Sequence, residues 1–117
     1  MSQKLLYHIT YAAQWHDAKL NDNYYSTSFD RDGFIHCSYS HQLLTVAHRF
    51  YQGQKGLVIL VIESSKINGK LIEENLEGGT ELYPHLYGAL PTDAVIKAIA
   101  FPCNADGSFN LPEELTI

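Results

Sequence analysis

Arginine is scarce in this 117-residue chain: Arg31 and Arg49 are the only two, and the 8 basic residues are outnumbered by 13 acidic ones. A net charge of −5 leaves no basic stripe to neutralise a phosphate backbone, which argues against duplex or tRNA partners. Cysteine is nearly absent too. Cys37 and Cys103 stand in no C-x-x-C or other metal-ligand spacing, so a structural zinc is not expected and both thiols are expected to stay reduced. The longest apolar run, Leu57 to Ile62, is far short of the ~20 residues of a membrane helix. The opening Met1-Ser2-Gln3-Lys4 lacks the regions of a signal peptide. The expectation is a cytoplasmic protein with no membrane partner. There is no Gly-rich phosphate loop, repeat or linker, and 45% hydrophobic content suits one domain, 1–117, around one core.

Tyrosine and histidine are plentiful, 8 and 6 residues. Lys4 to Ile9 reads as a first strand with Leu6, His8 and Thr10 on one face; Thr10 is placed to cap a helix whose apolar face is Tyr11, Ala12, Trp15 and Ala18. Asn21 to Asp32 lacks periodicity and reads as a long loop, in which Tyr24, Tyr25, Ser26 and Ser28 are positioned to meet a ligand or, for Tyr25, to plug the loop onto the core. After the Asp32-Gly33 turn, Phe34 to Ser38 reads as a strand. Its period of two puts His36 and Ser38 on one face and Cys37 on the other. His36 is either a reactive group paired with Ser38 or a core-edge histidine bonded to backbone.

Ser40 is placed to cap a second helix with the stripe Leu43, Leu44, Ala47, Phe50 and Tyr51, ended by Gly53 and Gly56. Leu57 to Ile62, apolar on both faces, reads as the central strand of the sheet. Leu71 to Glu74 reads as an edge strand and Asn75 to Glu81 as a polar loop. Pro84 and Gly88 predict a rigid turn around His85, which either acts chemically or pins that turn. Val95 to Phe101 is a last strand, and the tail carries two apolar anchors, Phe109 and Leu111.

Gly33-Phe34-Ile35-His36-Cys37-Ser38, then Gln42, Phe50-Tyr51-x-Gly53 and Pro84-His85-Leu86-Tyr87-Gly88, resemble the small bacterial family known as domain of unknown function 952. The resemblance covers nearly the whole chain. Tyr7-His8-Ile9, Trp15, Tyr25, Glu74, Leu90-Pro91 and Asp106-Gly107 follow in order; Asp32, Tyr83 and Glu73 depart mildly from its pattern. That family's fold in turn resembles ADP-ribosyltransferases. The resemblance implies an α+β domain with a small, mostly antiparallel split sheet, two main helices and a cleft for NAD as substrate. On it, Tyr7-His8-Ile9-Thr10 is similar to the His-x-Thr motif that holds the nicotinamide ribose, and Glu74 falls roughly where many transferases place a catalytic Glu.

The implied site has His36, Glu74 and His85 as catalytic groups and His8, Thr10, Arg31, Ser38, Tyr83 and Tyr87 as ligand contacts, without a metal. His8 would bond a ribose hydroxyl, and Tyr83 or Tyr87 would stack on nicotinamide. A diphosphate calls for arginines, and only Arg31 and Arg49 are available. Two other readings stay open: acid–base chemistry by His36, His85 and Glu74 on a small substrate without NAD, and a small-molecule or protein-binding module that catalyses nothing.

Overall fold

The computed structural model describes residues 5–26, 29–67, 69–75 and 81–115. Its strands are β1 (Leu5–Tyr11), β2 (Asn23–Tyr24), β3 (Ile35–His36), β4 (Leu57–Glu63), β5 (Lys70–Glu74), β6 (Tyr83–Tyr87), β7 (Leu90–Pro91) and β8 (Val95–Ala100). Its α-helices are α1 (Ala12–Ala18), α2 (Phe29–Asp32) and α3 (Leu43–Phe50). This is an α+β fold whose strand pairs are all antiparallel among the described residues.

One sheet has the order β1-β4-β8, a second β3-β6-β5, and β2 pairs with β7. β4 is the spine of the first, and its side chains explain why. Leu57, Ile59 and Val61 enter a core with Leu43, Val46, Ala47, Phe101 and Phe109. Leu60 and Ile62 enter another with Trp15, Tyr24, Ile35, Cys37 and Leu86. A strand covered on both faces has no need of polar alternation.

The two sheets meet at a single bridge. Tyr7 and Ser38 exchange backbone hydrogen bonds at 2.8 and 2.7 Å, and among the described residues no further pairing joins β3 to β1. β1 pairs with β4 from Leu5 to Tyr11, so its other edge is released beyond Tyr7. The sheet splits there, next to His8 and Thr10.

Several sequence expectations are corrected. Thr10 does not cap α1: it continues β1, Tyr11 is the N-cap residue, and the Thr10 hydroxyl meets Gln14 instead. Tyr39 rather than Ser40 caps the second helical segment, its N–H donating to Gln42 Oε1 at 3.0 Å. The 21–32 stretch contains β2 and α2, and it is Tyr24, 2% exposed, that plugs the core, while Tyr25 is exposed. The segment around His85 is no turn but β6, the central strand of its sheet. Pro84 is tolerated there because its carbonyl still accepts the Cys37 N–H at 2.9 Å. In the tail, Phe109 is buried as expected, but Leu111 is exposed and Leu115 is the second anchor. The 75–81 loop lies largely outside the described residues, as does Ser28.

Candidate functional site

β3 and β6 pair with His36 directly opposite His85, and β5 pairs with β6 so that Glu74 faces Tyr83 and Ile72 faces His85. This registry assembles a chain of side chains across three strands. Glu74 Oε2 accepts the Nδ1–H of His85 at 2.9 Å and also the hydroxyl of Tyr87. His85 Nε2 lies 3.2 Å from His36 Nδ1. The ring of Phe34 stacks on His85 at a centroid distance of 4.0 Å and an angle of 10°, which fixes the ring plane.

The protons follow from the carboxylate. An ionised Glu74 only accepts, so His85 Nδ1 carries the hydrogen, and in the neutral form of that ring Nε2 is a bare lone pair. His36 Nδ1–H then donates to that lone pair, and His36 Nε2 is left bare. Nε2 is shielded from solvent and has no hydrogen-bond partner among the described residues, an arrangement that ordinarily costs about 1–3 kcal/mol. The rings of Tyr83 and Phe50 stand 5.3 and 6.5 Å from the His36 ring.

Electrostatics agree with this proton inventory. Burial, followed by the neighbouring His85 and His8, pushes His36 down to about 4, so it is neutral near pH 7. The Tyr87 hydroxyl and then His85 hold Glu74 below the usual carboxylate range, and Glu74 in turn raises Tyr87. Glu73 points away on the other face of β5 and accepts from Tyr39 at 2.5 Å. The strand's period of two thus assigns the relay carboxylate to Glu74.

His8 belongs to a second chain on the other side of His36. Its Nδ1 lies 2.6 Å from the His36 carbonyl and its Nε2 2.9 Å from the Tyr24 hydroxyl, which is 2.8 Å from Thr10 Oγ1. Burial pushes His8 down to about 4 and Tyr24 up to about 12.

A cavity of about 60 Å³ opens at the split between β1 and β3. Of the residues singled out in the sequence, His8, Thr10, His36 and Ser38 line it. Gln14, Tyr24, Ser26 and Tyr51 line it as well, and Ser26 Oγ is a second shielded polar atom without a partner among the described residues. Of these, sequence reasoning raised only Tyr24 and Ser26, among the loop residues; nothing in a helical Gln one turn after a strand distinguishes it from a solvated surface residue. Glu74, His85 and Tyr87 stand behind His36 rather than on the cavity wall. Arg31 is not brought in: its side chain is 79% exposed and paired with Asp32 at 2.9 Å. Among the described residues, none of the lining side chains is Lys, Arg, Asp or Glu. Among the described residues no three His, Cys, Asp or Glu converge as metal ligands, because His8 meets the carbonyl of His36 and not its ring. Cys37 is fully buried and burial pushes its thiol up to about 12, which makes it inert.

Residues 9–98 match a family described as "Protein of unknown function (DUF952)". Solved structures similar to this chain include two crystal structures of protein CC0527 from Caulobacter crescentus, one of a double mutant. Both are 33% identical, with a TM-score of 0.85, and cover 96% of this chain and 98% of theirs. A solution NMR structure of the same protein gives 33% identity and a TM-score of 0.80 over 95% and 96%. No curated protein matches. The described residues contain no helix long and apolar enough to cross a membrane.

Proposed function

We propose that this chain, which belongs to the DUF952 family, performs acid–base chemistry on a hydroxyl-bearing group that enters the cavity and meets His36 Nε2. The observation that carries the reading is that bare, unpartnered nitrogen at the end of a complete relay. A histidine held near 4 is by itself a weak base at neutral pH. The relay removes that weakness. As Nε2 takes the proton of the ligand's O–H, His36 Nδ1 passes its own proton to His85 Nε2. The positive charge then rests on His85, against the Glu74 carboxylate, and His36 stays neutral in its buried place. Returning the proton reverses both transfers.

A cavity of about 60 Å³ admits a group of a few heavy atoms. The resemblance to ADP-ribosyltransferases names the nicotinamide ribose of NAD as such a group, with transfer or hydrolysis at the sugar as the reaction. The absence of a cation among the described lining residues supports a neutral small substrate over a tightly held dinucleotide.

His36 Nε2 is shielded, and of the rings beside it Phe50, 52% exposed and outside the cavity wall, is the one whose removal is expected to uncover it. The test is a titration of histidine-labelled protein with D-ribose, ADP-ribose and NAD, repeated with Phe50→Ala. Saturable shifts at His36, strengthened in the variant, are expected from ribose. Silence of His36 to all three ligands in both proteins rejects the reading, and shifts from NAD but not ribose restore the dinucleotide.

A further inference from the structure

The cavity has a second hydrogen-bond chain, and its direction can be deduced. Four links join Gln14 to the backbone of His36: Gln14 Oε1 lies 2.9 Å from Thr10 Oγ1, Thr10 Oγ1 lies 2.8 Å from the Tyr24 hydroxyl, that hydroxyl 2.9 Å from His8 Nε2, and His8 Nδ1 2.6 Å from the His36 carbonyl. A carbonyl only accepts, so His8 Nδ1 carries a hydrogen. His8 is 6% exposed and its ring nitrogens meet a carbonyl and a phenol, with no carboxylate to hold an imidazolium. The neutral ring therefore has a bare Nε2, and Tyr24 must donate to it. Having spent its one hydrogen, Tyr24 accepts from Thr10. Thr10, having spent its own, can only accept, so the Gln14 amide stands a half-turn from the orientation that puts Oε1 there and presents its NH₂ to Thr10. The amide NH₂ of Gln14 is thereby committed to Thr10, and its carbonyl oxygen is left for the cavity that Gln14 lines.

We propose that Gln14 is a specificity-determining residue: its side-chain carbonyl, oriented through Thr10, Tyr24 and His8, makes the cavity select neutral ligands that offer N–H or O–H donors and reject anions. The ligand class rests on the reading of this cavity as a binding site; the direction of the chain does not. Gln14 Oε1 and His36 Nε2 are then two acceptors on residues that line the same cavity, with the shielded Ser26 hydroxyl, partnerless among the described residues, able to serve either way. Among the described residues its wall carries no cation, so an anion would meet the lone pairs of both acceptors with only hydroxyl donors to offset them. His8 is a positioning residue, because both of its ring nitrogens are consumed within the protein.

Histidine nitrogen shifts read the chain without any ligand. In the natural protein near pH 7, His8 Nε2 should resonate as an unprotonated nitrogen. Gln14→Glu supplies a carboxylate that can only accept from Thr10; this turns the chain around, leaves His8 Nε2 without a donor and should convert it to a protonated nitrogen. Gln14→Met, which lets Thr10 keep donating to Tyr24, should leave it unprotonated. A protonated His8 Nε2 in the natural protein, or no response to Gln14→Glu in a folded variant, overturns the assignment. The ligand class is tested with the near-isosteric pair acetamide and acetate. Acetamide should shift the Gln14 and His36 signals and bind roughly tenfold more weakly to Gln14→Met, the loss of about one hydrogen bond. Equal shifts from acetate, or acetamide binding indifferent to Gln14→Met, contradict it. A correct His8 signature with no binding of acetamide would leave the chain standing and remove the ligand class.

Discussion

Replacing Glu74 by Gln keeps the shape of the relay and removes what orders it. The amide can donate to His85 Nδ1 and so release the proton to Nε2, which reverses the His85–His36 bond and places a hydrogen on His36 Nε2. Glu74→Gln should therefore turn His36 Nε2 from unprotonated to protonated in the nitrogen spectrum, while Tyr87→Phe, which removes a bond to the carboxylate only, should leave it bare. An unchanged His36 in Glu74→Gln would mean that the carboxylate does not set the tautomer. The two depressed histidines also predict a pH dependence of stability. Folded pKa values of about 4 against 6.5 unfolded mean that the unfolded chain binds more protons in this window. Their stabilising contribution is whole above about pH 6.5 and shrinks as pH falls toward 4, by roughly 3 kcal/mol for each histidine. Urea midpoints that stay flat from pH 7 to 4 would count against buried neutral histidines. At this scale the sequence singled out His36 through strand period and resemblance together, and His85 and Glu74 through the resemblance, without the strand that carries His85. It was silent on Gln14 and on the job of Tyr24, since a hydrogen-bond direction depends on which buried atoms meet.

Strand β3 is only two residues long, Ile35 and His36, and its entry is set by Gly33 at φ +79°. A Cβ there would meet nothing within 4 Å, so the cost of a side chain is the left-handed backbone alone. Gly33→Ala should lower stability by about 1–2 kcal/mol, with Gly33→Asn milder, as chemical denaturation would show; a neutral Gly33→Ala would mean that the turn does not need this conformation. Gly69 makes the opposite case, with ordinary φ but Leu86 Cδ1 3.1 Å from a built Cβ. At the scale of elements the reading succeeded for β4, apolar on both faces, for the existence of β8, and for the edge placement of β5. It failed at β6 because Pro and Gly were taken at their local preference for turns. Two neighbouring strands hold Tyr83–Tyr87 extended, and Pro84 keeps a carbonyl in the ladder. Tertiary pairing overrode a local signal.

Across the whole molecule, the site depends on two sheets that touch at one bridge and are held by cores on both faces of β4. Leu60→Ala empties a fully buried position facing the second core and should cost 2–5 kcal/mol by the usual range for such truncations. The loss should appear as a lowered denaturation midpoint, with the nitrogen pattern of His36 kept in the molecules that remain folded. A small core on each side of one strand explains how 117 residues support a split sheet, and the split is what opens a polar cavity at the edge of β1. The most direct measurement is the two-bond proton–nitrogen spectrum of histidine-labelled protein at neutral pH, recorded alone and with D-ribose. The account predicts an unprotonated His36 Nε2, with a proton on His36 Nδ1 and another on His85 Nδ1, and a saturable shift of that Nε2 on ribose addition. A protonated His36 Nε2, or a bare one that ribose never perturbs even in Phe50→Ala, would contradict it.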